Sequence, residues 1–235
     1  MKKALCNMGG VMCFKHGARF DIKYPRIGHM FKKTQIISYG NDSYGALSGR
    51  DIAAATIGFY EVVKQDYLDR RIGQIEYFGV SLAKKGIPVI LPPGGHAVYL
   101  DVNRIFPMAD WKLFKGVGFV IELLRKYGIR GCELGYMCWE LDRYVDENGK
   151  LPERMPPNLI RFAVPANMYH LEHIEYCVES ISQLYQDKDS VPGMEITRGK
   201  EIDLRHFVVG MRPIGVGTPV KMEKKSEKKK KKVEN

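Results

Sequence analysis

Two side chains could do chemistry where they stand. Arg161 interrupts an otherwise apolar run, Leu159-Ile160-Arg161-Phe162-Ala163-Val164-Pro165. An arginine on such a strand is costly to bury unless it is paired, and its planar fork suits a bidentate grip on a carboxylate. The alternative is a structural ion pair. His206, in Leu204-Arg205-His206-Phe207, carries an imidazole that can donate, accept or move a proton near neutral pH; the commoner role of a lone histidine is structural. His96, within His96-Ala97-Val98-Tyr99-Leu100-Asp101-Val102, reads as a strand histidine. At the other end of the chain, Met1-Lys2-Lys3-Ala4-Leu5-Cys6-Asn7-Met8-Gly9-Gly10 reads on its own as two solvated lysines, a short apolar segment and a turn.

The elements that must position these residues follow from periodicity. Val11-Met12-Cys13-Phe14 predicts a short buried strand, and residues 18–39 a short helix or loop. Residues 39–49 are glycine-rich loop chemistry. Ser48-Gly49-Arg50-Asp51 has capping-box spacing, and apolar residues then recur at steps of three and four from Ile52 to Leu82. They predict one long helix or two in tandem, closed at Gly86. Strands follow at Val89-Ile90-Leu91 and 96–102, a helix from Trp111 to Tyr127 closing at Gly128, and strands at 129–134 and 159–165. Ile174, Cys177, Val178, Ile181, Leu184 and Tyr185 form a helical stripe, with final strands at 194–197 and 204–210. This order predicts helices covering one face of a mostly antiparallel sheet, an α+β arrangement.

The bulk properties exclude several classes. The net charge is +10, yet residues 221–235 hold eight lysines against three glutamates, so half of that balance sits in a tail. The tail reads as disordered, and the charge does not mark the whole protein as a nucleic-acid binder. A basic protein recruited through this tail to nucleic acid or acidic partners is the rival reading, and its mark would be salt-dependent binding lost on removing residues 221–235. Five cysteines, Cys6, Cys13, Cys132, Cys138 and Cys177, are odd in number and form no C-x-x-C. They point to free thiols in a reducing compartment, the cytoplasm, and away from a disulfide framework or structural zinc. No signal peptide is visible, and no apolar run approaches the ~18 residues that would span a membrane.

From Gly86-Ile87-Pro88-Val89 through Pro92-Pro93-Gly94-Gly95-His96-Ala97-Val98-Tyr99-Leu100-Asp101 the chain resembles the β-eliminating lyases, the family of tryptophanase and tyrosine phenol-lyase. The likeness includes Met8-Gly9-Gly10, 43–51, 161–165 and 204–207. It implies the C-terminal portion of the pyridoxal-phosphate-dependent aminotransferase fold type I, an α/β fold, with an incomplete large domain at 1–50, a small α+β domain with a long connecting helix at 51–220, and the tail at 221–235. Counting back from Gly9 without a gap, the resemblance puts the cofactor lysine on Lys2; one deletion would put it on Lys3. An amine is needed there to form a Schiff base with pyridoxal 5'-phosphate. Arg161 falls on the residue that holds the substrate's α-carboxylate, and Asn7 on one oxygen ligand of a monovalent cation, potassium. Leu134 stands where tyrosine phenol-lyase has an arginine, and His206 where tryptophanase has a histidine. Both favour indole over phenol as leaving group. Where the family has a second arginine after the proline, this chain has Ala166. The resemblance therefore implies an aromatic amino acid substrate, cleavage of tryptophan to indole, pyruvate and ammonia, and a homo-oligomer or a partner supplying the missing N-terminal half. It also implies that the chain alone is inactive or nearly so.

Overall fold

The computed structural model describes residues 5–6, 9–13, 15–41 and 45–215. The chain divides into two compact units, Met1–Gly73 and Gln74–Asn235.

The first unit is helical among its described residues. It contains α1 (Arg19–Lys23), α2 (Ile27–Tyr39), α3 (Gly49–Glu61) and the first turns of α4 (Gln65–Lys84). Ser48 starts α3 as its spacing predicts: Asp51 N–H donates to Ser48 Oγ at 3.4 Å, and Ser48 Oγ donates to Asp51 Oδ2 at 2.7 Å. The apolar recurrence from Ile52 to Leu82 thus belongs to two helices, broken at residues 62–64. Two expectations need correction. Val11-Met12-Cys13 is neither strand nor buried, with Val11 and Met12 62% and 65% exposed; an apolar run needs a neighbouring strand to complete its backbone hydrogen bonds, and none lies among the described residues of this unit. Residues 18–39, read as a short helix or loop, hold two helices. The second runs 13 residues with none buried, so its apolar stripe is weak and was hard to read.

The second unit is built on a three-stranded antiparallel sheet in the order β1 (Ala97–Asp101), β3 (Leu159–Ala163), β2 (Cys132–Leu134), with a single-turn helix α5 (Val102–Ile105) directly after β1. Period-two alternation sends Val98, Leu100, Ile160 and Phe162 to one face. There they meet Ile75, Phe78 and Leu82 of α4, Phe119 and Leu123 of α6 (Lys115–Tyr127), and Ile174, Ile181 and Leu184 of α7 (Leu171–Gln186), all buried in one core. Burial of this set, at about 25 cal/mol per Å² of apolar surface, holds the helices to the sheet. A second, antiparallel ribbon pairs β4 (Gly193–Arg198) with β5 (Gly210–Ile214).

Helix α6 lies unusually close to the chain after α7. A Cβ at Gly118 would sit 2.2 Å from the Pro192 carbonyl oxygen, a backbone atom that cannot rotate away. Gly118→Ala is expected to cost stability at the upper end of the roughly 1–3 kcal/mol typical of overpacking, read as a lowered denaturant midpoint with an unchanged slope. At its far end α6 closes as predicted on Gly128, at φ +70°, whose N–H donates to the Leu124 carbonyl at 2.9 Å.

Three further strand expectations are corrected here. Val89-Ile90-Leu91 forms only an isolated bridge from Val89 to Leu100. The strand expected at 129–134 is confined to Cys132–Leu134. The strand expected at 204–210 is instead a 3-10 turn, Arg205–Phe207, with β5 beginning at Gly210. The reason is local: Leu204 adopts φ +52°, and the Arg205 carbonyl accepts from both Val208 N–H at 2.9 Å and Val209 N–H at 2.7 Å. That doubling-back is incompatible with an extended ladder.

Candidate functional site

The register of the sheet decides what Arg161 can do. Arg161 lies on the central strand, opposite Tyr99 of β1 and Cys132 of β2, on the face away from Ile160 and Phe162. Leu134 pairs with Leu159, two positions along, so Leu134 and Arg161 share that outer face. Tyr99 and Asp101 stand on it as well. A cationic fork beside apolar and aromatic side chains is an arrangement suited to a molecule with a carboxylate at one end and an apolar body at the other.

Arg161 is half-buried, and its Nε is enclosed without a hydrogen-bond partner. Among the described residues it forms no ion pair, so the structural alternative left open by the sequence has no carboxylate to stand on. Its charge is nevertheless felt nearby. Burial pushes the Cys138 thiol up, Glu133 and Cys132 push the same way, and Arg161 opposes them. The raised thiol makes Cys138 a poor nucleophile at neutral pH.

His206 lies elsewhere, in the 3-10 turn between β4 and β5. It is half-buried, its Nδ1 is enclosed without a partner, and its ring centroid is 3.9 Å from that of Phe207 at a 42° tilt. Among the described residues no hydrogen bond or ring contact joins it to Arg161 or Leu134, so the fold brings two of the three residues that the resemblance assigns to a substrate onto one face and leaves the third on a separate turn. His96 is exposed, and its carbonyl accepts from Val164 N–H at 2.9 Å, extending the β1–β3 ladder. Lys2, Lys3 and Asn7 lie outside the described residues. Among the described residues no group of three or more His, Cys, Asp or Glu side chains could hold a metal ion, and no helix is long and apolar enough to cross a membrane.

Two groups escaped the sequence reading. Arg205 is fully buried and forms a bidentate pair with Asp142, Nη1 to Oδ2 at 2.9 Å and Nη2 to Oδ1. Burial raises the Asp142 carboxyl, but the Arg205 guanidinium outweighs it and holds the group below the usual carboxylate range. The available signal was an arginine beside His206 that the strand pattern could not place. The other is Glu133. Opposite Ile160, it faces the interior, and its carboxylate accepts from the N–H groups of Met137 at 3.2 Å and Cys138 at 3.1 Å. An acid between Cys132 and Leu134 at an inward position was the signal.

Burial raises the Glu133 carboxyl above its ordinary value of 4.5, against the lowering effect of its backbone hydrogen bonds. The folded state therefore binds this proton more tightly than the unfolded state. Its contribution to stability is fully present below the unfolded value and is lost as pH rises through the folded one. Glu133→Gln should remove that decline, so the stability difference between wild type and variant shifts in the variant's favour as pH rises from about 4. Urea midpoints from pH 4 to 8 check it; parallel curves would contradict the assignment.

Glu133 also lines a small pocket with Asn103, Asp110, Trp111, Tyr136 and Asn158. Lys115 lines it too, but its Nζ donates to the Val191 carbonyl. With two carboxylates and one engaged cation, this lining does not fit the phosphate of a phosphorylated cofactor.

No family profile matches the chain. Curated proteins do. It is 30% identical over 214 residues to a probable tryptophanase of Halobacterium salinarum, covering 91% of this chain and 44% of that one. It is 32% identical over 212 residues to a tryptophanase of Salinibacter ruber, 90% of this chain and 42% of that one. It is 30% identical over 198 residues to a tyrosine phenol-lyase of Clostridium tetani, 83% and 40%. The chain spans about two fifths of the length of the curated relatives it matches. Among solved structures, a SepCysS-SepCysE N-terminal domain complex is similar at a TM-score of 0.36 and 16% identity over 66% of this chain and 39% of that one, too slight a likeness to bear on the fold.

Proposed function

We propose that this chain, a C-terminal part of a tryptophanase-like lyase, supplies the substrate-recognising side of a site that cleaves an aromatic amino acid by β-elimination, with tryptophan giving indole, pyruvate and ammonia. Arg161 holds the α-carboxylate by its fork, Leu134 packs against the aromatic face, and His206 meets the leaving group. The family is pyridoxal-phosphate-dependent. Lys2, or Lys3, is the cofactor lysine in this reading, and Asn7 gives one oxygen to a potassium ion. The fold is the C-terminal portion of fold type I, with 1–50 a remnant of the large domain, 51–220 the small domain and 221–235 a tail, in a homo-oligomeric cytoplasmic enzyme.

One observation carries the substrate assignment. Among the described residues the enclosed side-chain nitrogens and oxygens without a partner are Arg161 Nε, Arg205 Nε and His206 Nδ1. Leaving such an atom unpaired costs about 1–3 kcal/mol, and each exception asks for an explanation. Two of the three fall on residues that the resemblance assigns to the substrate, and the terminal nitrogens of the Arg161 fork, which are not among these enclosed atoms, are the ones a bound carboxylate would meet.

A second reading, a split lyase whose N-terminal half is a separate polypeptide, is favoured by the first unit. On α2, Met30, Ile37 and Tyr39 are 64%, 75% and 76% exposed, and on α3 Ile57 and Tyr60 are 64% and 72%. Apolar side chains on several sides of a helix call for cover.

The purified chain should be mixed with pyridoxal phosphate and tryptophan, alone and with the separately produced preceding portion of the Salinibacter ruber tryptophanase. Alone it should give no stoichiometric visible band and no indole; the mixture should give both. Indole from the chain alone would overturn the expected inactivity, and a formed complex that makes no indole from tryptophan would overturn the lyase reading.

A further inference from the structure

The turn that carries His206 is held by an ion-pair staple for which the lyase chemistry has no other use. Arg205 Nη1 also donates to the Lys200 carbonyl at 3.2 Å, and Arg205 N–H donates to Glu140 Oε1 at 3.3 Å. From the opposite side Arg143 pairs with Asp203 at 2.8 Å and with Glu140 at 2.8 Å, and donates to the Ile202 carbonyl at 3.0 Å. Two arginines thus tie residues 140–143 to residues 200–205. Glu140 and Leu204 both adopt φ +52°, a conformation that costs a non-glycine residue of order 1–3 kcal/mol and persists only where its surroundings impose it. A buried pair of this kind adds little net stability over an apolar replacement. What it supplies here is a fixed geometry for the residue that follows.

That residue is His206. In a neutral imidazole one nitrogen bears hydrogen and the other a lone pair, and the partners decide which. Nδ1 is sealed with no partner. A buried N–H without an acceptor is the rarer defect; an acceptor short of a donor is better tolerated. The sealed Nδ1 therefore keeps the lone pair, and the hydrogen goes to Nε2, which is not among the enclosed atoms without a partner.

We infer that Arg205 and Asp142 are positioning residues that hold His206 as a single Nε2–H tautomer, with that N–H available as a donor to the ring face of an aromatic leaving group. The donor geometry stands on the residues above; its use on a leaving group rests on the lyase reading.

The test is nitrogen-15 NMR of the full chain with labelled histidine, which needs neither cofactor nor substrate. His206 in the neutral ring is expected to show long-range couplings of a protonated Nε2 and a bare Nδ1. Arg205→Met and Asp142→Asn should convert this pattern to the averaged signals of mixed tautomers, and Arg205→Lys should restore part of it. Far-UV circular dichroism identifies which variants remain folded; Asp142→Asn, which keeps size and some hydrogen bonding, covers the case in which Arg205→Met does not fold. A protonated Nδ1 or mixed tautomers in the wild type would overturn the proposal. So would folded variants that keep the wild-type pattern, since a merely structural pair would leave the tautomer alone. Failure of the lyase itself would appear in the indole assay, with the His206 signals unchanged.

Discussion

Arg205→Met is expected to destabilise the protein by about 3–5 kcal/mol, the cost of stranding the partner of a buried ion pair. Arg205 is fully buried and Asp142 is 14% exposed, so removing the guanidinium leaves a carboxylate with little water to take its place. Lys200, whose Nζ lies 3.6 Å from Asp142 Oδ2 but is 68% exposed, is too well solvated to substitute. The double variant Asp142→Leu with Arg205→Met should recover most of the loss, because it removes the charge that the single variant strands. Equilibrium urea unfolding of the four proteins in the double-mutant cycle gives the coupling directly. The cycle has a pH signature too. Asp142 is held below its usual range, so the stability it contributes is present above its unfolded value and is lost as pH falls through the folded one. The double variant should lack that acid-side loss. Equal loss in single and double variants would mean that Arg205 acts by packing alone.

The parts of this fold legible in the sequence are those where one principle acts alone. The stripe from Ile174 to Tyr185 and the 111–127 segment ending at Gly128 carry a helical period and an obvious stop, and the structure has α7 and α6 there, although α6 begins only at Lys115, after a separate 3-10 turn at Trp111–Leu113 and a left-handed Phe114. Ser48 and Asp51 announced α3 because a cap is a local contact. Legibility fails where the deciding partner is distant in sequence. The turn at Arg205–Phe207 reads as strand from its own apolar residues, and the contact that anchors it, Arg205 to Asp142, spans 63 residues. Residues 11–13 read as strand because an apolar run says nothing about whether a neighbouring strand exists. The site divides the same way. Arg161 was legible because a lone charge on an apolar strand is anomalous wherever it occurs; that Leu134 shares its face depends on the pairing of β2 with β3, which the sequence does not contain. Lys2 and Asn7 rest on the family resemblance, and the geometry argued for Arg161 does not extend to them.

Arg161→Leu should separate the two roles an arginine on a strand can have. Had Arg161 been a structural ion pair, its loss would strand a carboxylate and destabilise the fold as Arg205→Met does. Among the described residues Arg161 has no such partner, and its enclosed Nε is unsatisfied. Leucine fills much of the same space beside Leu159 and Leu134 with no polar atom to leave unpaired, so the isolated chain should be at least as stable as wild type, with a urea midpoint equal or higher. The functional cost should be large. Two charge-assisted hydrogen bonds to a carboxylate, at about 1.5–3 kcal/mol each, correspond to a loss of kcat/KM on the order of 10²–10⁴ in the reconstituted lyase. Arg161→Lys should recover only part of it, since an ammonium restores the charge but not the fork. Stability gained where activity is lost is the mark of a residue kept for its ligand. A variant that unfolds more easily than wild type, with indole production unaffected once refolded in the mixture, would return Arg161 to a structural role and take the substrate assignment with it.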